Sequence, residues 1–344
     1  SAYASEHHVM IIVSDRSAPT LVSGAHQLLQ QQPDADIQIR TVSQLNALTD
    51  ADLQQLIDNS ASILVVGVFG DPVERLLVRQ YNNDQKRYVL HSDQRLIELN
   101  SDPVTQSIPN HILSDKASLS TTTLLEAKQV QYPEYANWLQ ARAYWVNRST
   151  ENSRSLLDML LTEGSKKAEL QPVGALRFAL HKDDKTQWLS PTELAKQLDT
   201  TNPVVWLVDH DTGDLTGEWK LHQQYCQALN SQCVSVLAAW GEPSVEAIET
   251  IKKVMNKSLP NTPWGIVSFQ DFVIGGGDGR EQVEQLFTEL NVPVLKGIRL
   301  NKLSEADYAL SSQGIPRDSI HYRIAMPELQ GVSQPQILAL TEPA

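Results

Sequence analysis

Residues 264–332 read WGIVSFQDFVIGGGDGREQVEQLFTELNVPVLKGIRLNKLSEADYALSSQGIPRDSIHYRIAMPELQGV. The apolar run at the start leads into Gly275-Gly276-Gly277-Asp278-Gly279, a glycine turn with an acid inside it. Val283, Leu286, Phe287 and Leu290 then recur at i, i+3, i+4 and i+7, the spacing of one helix face. A short strand is expected from Val292 to Ile298, followed by the segment Ala325-Met326-Pro327-Glu328-Leu329-Gln330-Gly331. The stretch therefore predicts a βαβ unit, whose two parallel strands need a helical crossover.

Outward from it, the same alternation runs through most of the chain. His8–Val13, Ile37–Val42, Ile63–Phe69 and Tyr88–Leu90 predict strands, with helical stripes between them. Ile63–Phe69 is almost wholly apolar, as a parallel strand buried on both faces should be. Around Ser101–Leu161 the pattern loosens into aromatic-rich and leucine-rich helices. A second alternation begins at Val204–Val208 and continues through Val234–Ala239 into the opening stretch. The fold class expected is α/β, with two doubly wound, flavodoxin- or Rossmann-like lobes and a helical connector. The domain limits expected are 1–130, 131–200 for the connector, and 201–344, the last cut short because Gln336–Leu340 starts a strand near the end of the chain.

Composition narrows the function. The 344 residues carry 28 basic and 41 acidic side chains, a net charge of −13 that disfavours binding a phosphate backbone, so no nucleic-acid partner is expected. No apolar run reaches the roughly 20 residues that span a bilayer. Ala2-Tyr3-Ala4 has the form of a signal-peptidase site, which gives a periplasmic expectation beside the alternative of a chain boundary. Cys226 and Cys233 lie seven residues apart; a disulfide is geometrically possible and suits an oxidising compartment, while two buried thiols are the commoner arrangement.

Ligands of doubly wound sheets sit at strand carboxyl ends. In the first lobe those ends carry Ser14 and Asp15. Gly275, Gly276 and Gly277 before a helix leave three readings: a phosphate cradle, a plain turn, or a loop passing close to a flat ligand. Asp278 argues against phosphate, and no GxxxxGK[ST] loop occurs. Asp209-His210-Asp211, near Asp214, offers oxygen and nitrogen donors for a divalent ion or stands as an ordinary loop triplet. His181 follows a strand-like GALRFAL, and Glu328 follows a proline. No nucleophile–base pair and no Ser/His/Asp constellation stands out, so catalytic residues are not assigned.

The motif order from Asn147 onward resembles the large subunit of ATP-dependent metal chelatases, the CobN-type cobaltochelatase and the magnesium-chelatase H subunit. The matching elements are Asn147–Leu161, Leu180-His181 with Asp183, Thr212-Gly213-Asp214 through Val236, and Phe272–Gly276. Asn291–Leu295, Gly314-Ile315-Pro316 and Ala325–Gly331 complete the series. Gln330 replaces the family's usual Asp, Lys182 its Pro, and Asp209-His210 a common Tyr-Arg pair. The resemblance implies a subunit that binds a tetrapyrrole, corrin or porphyrin, for insertion or exchange of cobalt or magnesium. ATP would be hydrolysed by separate AAA+ subunits, in keeping with the missing P-loop, and the family is usually cytoplasmic. His181, Asp209, His210, the glycines, Glu328, Ser14 and Asp15 are the candidate ligand-binding residues. The alternatives from other classes are an exported two-lobed tetrapyrrole or metal carrier without catalysis, and a scaffold for partner subunits.

Overall fold

A computed structural model describes residues 8–161, 167–174, 176–211, 217–229, 231–238, 242–270, 276–301 and 333–341. These residues form two compact α/β units, the first reaching Gly174. In the first, β1 (His8–Val13), α1 (Ala18–Gln31), β2 (Asp36–Thr41), α2 (Val42–Ala47), α3 (Asp50–Asp58), β3 (Ser62–Val66), α4 (Asp71–Leu77) and β4 (Lys86–Leu90) alternate. The strands pair in parallel in the order β2-β1-β3-β4. The chain leaves β1 first to one side and then to the other, so the topological switch point lies between β1 and β3.

Local chemistry explains the boundaries. Pro19 sits in the first turn of α1, where its missing N–H costs nothing. Thr41 and Gln44 form a capping box on α2, and the Thr49 hydroxyl caps α3. The strand expected to run to Phe69 stops at Val66 instead. Gly67 takes φ +60°, and a Cβ there would meet the Trp145 ring at 3.2 Å.

The short helices α5 (Gln94–Ile97), α6 (Pro103–Gln106) and α7 (Asn110–Leu113) follow, and then α8 (Thr122–Gln131), α9 (Ala136–Val146) and α10 (Thr150–Leu161). The expected connector is corrected here: α9 and α10 bury Trp138, Leu139, Tyr144, Leu156 and Leu157 in the same core as β1 and β3. Two asparagines fasten what comes next. Asn152 Nδ2 donates to the carbonyls of Asn147 and Gln171 at 2.6 and 2.7 Å, and its Oδ1 accepts from Gln171 N at 3.0 Å. The NRSTEN segment is thus a structural clasp at the end of the first unit.

The second unit contains β5 (Leu176–Lys182), β6 (Lys185–Leu189), α11 (Pro191–Gln197), β7 (Val204–His210), α12 (Gly217–Ala228) and β8 (Gln232–Ala238). It goes on through α13 (Glu242–Ser258), β9 (Trp264–Ser268), α14 (Gly276–Leu290), β10 (Val294–Asn301) and β11 (Ser333–Thr341). The sheet order is β11-β10-β9-β7-β8-β5-β6, with β5 antiparallel to both neighbours. The β5–β6 hairpin lies within residues assigned above to the connector. Asp183 and Asp184, both at positive φ, make the two-residue turn that closes it, and their run of charge conceals the strand that follows. The opening βαβ stands as β9-α14-β10. β10 begins at Val294 rather than Val292 because Pro293 has no N–H; its carbonyl instead accepts from Ile266 N at 2.9 Å.

One close contact tests the placement of α10. A Cβ at Gly24 would fall 2.6 Å from Ser153 Cβ and 2.7 Å from Arg154 N, so α1 and α10 meet backbone to backbone. Gly24→Ala should lower the urea midpoint by an amount worth about 1–3 kcal/mol. Val22→Ala, at an exposed position of the same helix, should stay within about 0.5 kcal/mol.

Candidate functional site

Side chains alternate along a strand, and the β5–β8–β7 register sorts them. Arg177 and His181 of β5, Cys233 and Ser235 of β8, and Leu207 and Asp209 of β7 share the face covered by α12. The opposite face holds a large apolar cluster with Trp206, Ile248 and Ile251. The α12 face has a small one, Leu207, Cys226, Cys233, Val267 and Phe269. A disulfide joins Cys226 of α12 to Cys233 of β8, with 5.6 Å between the Cα atoms. Of the two cysteine alternatives, the cross-link is the one present, and it replaces the expectation of two buried thiols.

The rest of that face is polar and continuous. His222 of α12 is 2.8 Å from Asp209 through Nε2 and 2.8 Å from the Ser235 hydroxyl through Nδ1. The same hydroxyl meets His181 Nε2 at 2.7 Å, and His181 Nδ1 faces Thr186 Oγ1 at 3.2 Å. Asp209, His222 and Ser235 are each no more than 1% exposed. Buried polar groups persist only when bonded, and here each bonds the next. The other Asp209 oxygen accepts the His210 backbone N–H at 2.8 Å.

Proton bookkeeping gives this chain a direction. An ionised Asp209 only accepts, so His222 Nε2 carries a hydrogen. With His222 neutral, Ser235 donates to its Nδ1, His181 Nε2 donates to Ser235, and Thr186 donates to His181 Nδ1. Every bond between these hydroxyls and imidazoles can run in either direction, because each of the groups both donates and accepts. His181 and Thr186 also line a cavity of about 510 Å³, together with Gln223, Asp199 and Gln232. The row of hydrogen bonds runs from a cavity wall to a buried carboxylate.

Aromatic side chains roof it. Trp219 lies 5.3 Å from the His181 ring and 5.7 Å from that of His222, and stacks on Trp188 at 5.2 Å. Phe269 also stacks on His222, at 4.9 Å. Arg177 stands over Trp188 at 4.4 Å and holds Asp211 through two bonds of 2.8 Å. Burial lowers the His181 pKa to about 4, and the neighbouring His222 adds to the effect.

The expected site residues separate accordingly. His181 and Asp209 belong to one network. The Asp209-His210-Asp211 triplet does not converge as a metal site: consecutive strand residues point to opposite faces, Asp209 is bonded to His222, and Asp211 is held by Arg177. No metal-binding group of three or more such side chains occurs among the described residues. Gly276 and Gly277 form the first turn of α14, whereas Gly275, Asp214 and Glu328 lie outside the described residues. Ser14 and Asp15 belong to the first unit, where Asp15 Oδ2 accepts from Ser43 N at 3.3 Å.

His222, Ser235 and Thr186 were not legible as a site. An Asp–His–Ser row is present, although none stands out in the sequence. It is not a hydrolytic triad, because Ser235 lies at 0% exposure in mid-strand, where no substrate reaches it. The one sequence signal is Ser235 itself, a polar residue in the apolar run Cys233–Ala239.

The family model described as CobN/magnesium chelatase matches residues 142–344. The chain belongs to this family. The match includes the whole hydrogen-bonded row and the Asn147–Asn152 clasp. No curated protein matches. A solved structure of a manganese-bound periplasmic metal-binding protein from Candidatus Liberibacter asiaticus is 12% identical, covers 84% of this chain and 88% of its own, and has a TM-score of 0.25. A transcription-regulation repressor of the LacI family from Corynebacterium glutamicum is 13% identical over 96% of this chain and 94% of its own, with a TM-score of 0.23.

Two measurements probe the site. The unfolded chain protonates His181 near pH 6.5, but the folded chain does so only near 4. The stabilising difference is therefore complete above pH 6.5, declines as the pH falls towards 4 and is constant below it. After a discount for partial exposure the loss should be on the order of 2 kcal/mol. The stability gap between wild type and His181→Gln should accordingly change across pH 4–6.5; a constant gap would contradict the depressed pKa. Reduction of the disulfide should cost roughly 2 kcal/mol in urea denaturation and alter the tryptophan fluorescence of the Trp219 stack. Unchanged fluorescence on reduction would mean that α12 does not depend on the cross-link.

Proposed function

We propose that the chain is the N-terminal region of a CobN-like chelatase large subunit that holds a tetrapyrrole, corrin or porphyrin, while cobalt or magnesium is inserted or exchanged. ATP is hydrolysed in this reading by separate AAA+ subunits, since the sequence has no phosphate-binding P-loop. The observation that carries the reading is the family match over residues 142–344, within which a directed hydrogen-bond row opens on a cavity. Metal entry into a macrocycle requires two ring N–H protons to leave. A neutral imidazole at His181, linked through Ser235 to His222 and Asp209, takes up one such proton and buries the charge against a carboxylate.

Absorbance titration with hydroxocobalamin, a cobyrinic acid derivative and protoporphyrin tests the binding. A saturable change in the Soret or α bands is expected with at least one of them, with affinity reduced roughly tenfold or more in His181→Ala and in Glu328→Ala. No spectral change with any of the three would overturn the reading.

The disulfide favours a second reading, an exported tetrapyrrole or metal carrier in the periplasm with no chemistry of its own. An oxidising compartment and ATP-driven partners pull in opposite directions. Alkylation of thiols in intact cells separates them: an oxidised Cys226–Cys233 pair in the periplasmic fraction supports the carrier, and a reduced pair beside AAA+ subunits supports the chelatase.

A further inference from the structure

The first unit has a concentration of positive charge that the proposed chelatase role leaves unused. Helix α9 lies against the carboxyl end of the sheet with Trp138, Arg142 and Trp145 at i, i+4 and i+7, along one face. Trp138 Nε1 donates to the Val89 carbonyl at 2.8 Å, and Arg142 Nη1 to the Leu90 carbonyl at 2.7 Å, both at the end of β4. The Trp145 ring lies below Gly67 at the end of β3, close to the Ser14 hydroxyl at the end of β1. Arg148 stands over the Trp145 ring at 4.6 Å and donates to Ser17 Oγ at 2.9 Å, at the start of α1. Trp145 and Arg148 thus stand at the crevice between β1 and β3, where the strand order reverses and open α/β sheets take their ligands, and Arg142 at the end of β4, the strand next to β3.

Arg142 is only 4% exposed, and its buried Nε has no acceptor. Nη1 is committed to Leu90. The Nε–Nη2 edge, the side of a guanidinium that grips a carboxylate or phosphate with two parallel bonds, is therefore without a partner at Nε. The neighbouring charges do not compensate it. Burial lowers the Arg142 pKa to about 10, with Arg148 acting in the same direction. Lys116 is lowered to about 8 by desolvation and then by Arg142 and Arg148. His91, at the end of β4, is held neutral by burial and by Arg142, with a pKa of about 4; Asp93 and the Val68 carbonyl act in the opposite sense. A buried charge with like-charged neighbours is costly unless an opposite charge joins it.

We propose that the carboxyl end of this sheet, at β4 beside β3, binds an oxyanion, a carboxylate or phosphate group, gripped by the Nε edge of Arg142 with Lys116 and Arg148 as neighbouring cations. The site is independent of the tetrapyrrole reading. Trp138 and Trp145 brace the arginine side chains, and Gly67 lets the β3 backbone approach the crevice where a Cβ would crowd Trp145.

The test is calorimetric titration of inorganic phosphate and, separately, succinate into the full chain, in a low-salt buffer free of other multivalent anions. Saturable binding of at least one is expected. Binding of phosphate alone identifies a phosphate site, of succinate alone a carboxylate site, and of both a general oxyanion site. Arg142→Lys keeps the charge but removes the planar fork, and should weaken binding at least tenfold. Lys116→Ala lies outside the hydrophobic core, removes one neighbouring charge without disturbing the packing, and should weaken binding several-fold. No saturable heat with either anion, or wild-type affinity in Lys116→Ala together with any folded Arg142→Lys protein, would overturn the proposal.

Discussion

The Ser235 hydroxyl, with an imidazole at 2.7 Å on one side and another at 2.8 Å on the other, is the contact on which the second unit's polar face depends. It lies in the middle of β8, where an apolar side chain would normally meet α12. Taking two imidazoles and a carboxylate out of water is costly unless every polar atom is bonded, so the row must be complete to be tolerated. It is complete because β5, β7 and β8 each bring one member to the same face and α12 brings the fourth, His222. The apolar cluster under α12 is correspondingly small. The Cys226–Cys233 cross-link fastens that helix where hydrophobic packing is thin.

This arrangement divides the labour between the two faces of one sheet. Trp206, Ile248, Ile251 and their neighbours make a conventional core on the α13 side. The α12 side carries the hydrogen-bonded row. Such a row needs rigidly held donors and acceptors, and strands packed on a conventional core provide that rigidity. The first unit follows the same logic at its strand ends. A well-packed core of β1, β3, α1 and α10 supports a rim that carries Arg142 at the end of β4 and Arg148 at the start of α1.

Much of the architecture was legible because parallel strands buried on both faces are written as short apolar runs. HVMIIV became β1 with every residue buried, and the glycine-rich stretch became β9-α14-β10. The errors occur where a local signal points elsewhere. Gly67 interrupts a strand that hydrophobicity alone would extend to Phe69, because a tryptophan distant in sequence occupies the space a Cβ needs. The β5–β6 hairpin was missed because Lys182-Asp183-Asp184-Lys185 reads as a solvated charge run, though two aspartates at positive φ make a tight turn. The leucine-rich helices of 136–161 were read as a connector because amphipathicity does not reveal which core a helix joins.

The sequence by itself determined the α/β class, the parallel strands, the capped helices and, through the motif order from Asn147 to Gly331, the family. It also marked His181 and Asp209 as polar residues at informative strand positions. Only the tertiary structure joined them. His181, Asp209, His222 and Ser235 are scattered over more than fifty positions of chain, and no spacing rule relates residues brought together by a β5–β8–β7 register. The same holds for Asp209 and His210: adjacent in sequence, they are parted by the pleat of the strand, which turns a candidate metal pair into one residue bonded to His222 and one residue of the opposite face. Periodicity records which face of its own element a residue occupies, whereas pairing between elements decides which residues share a site.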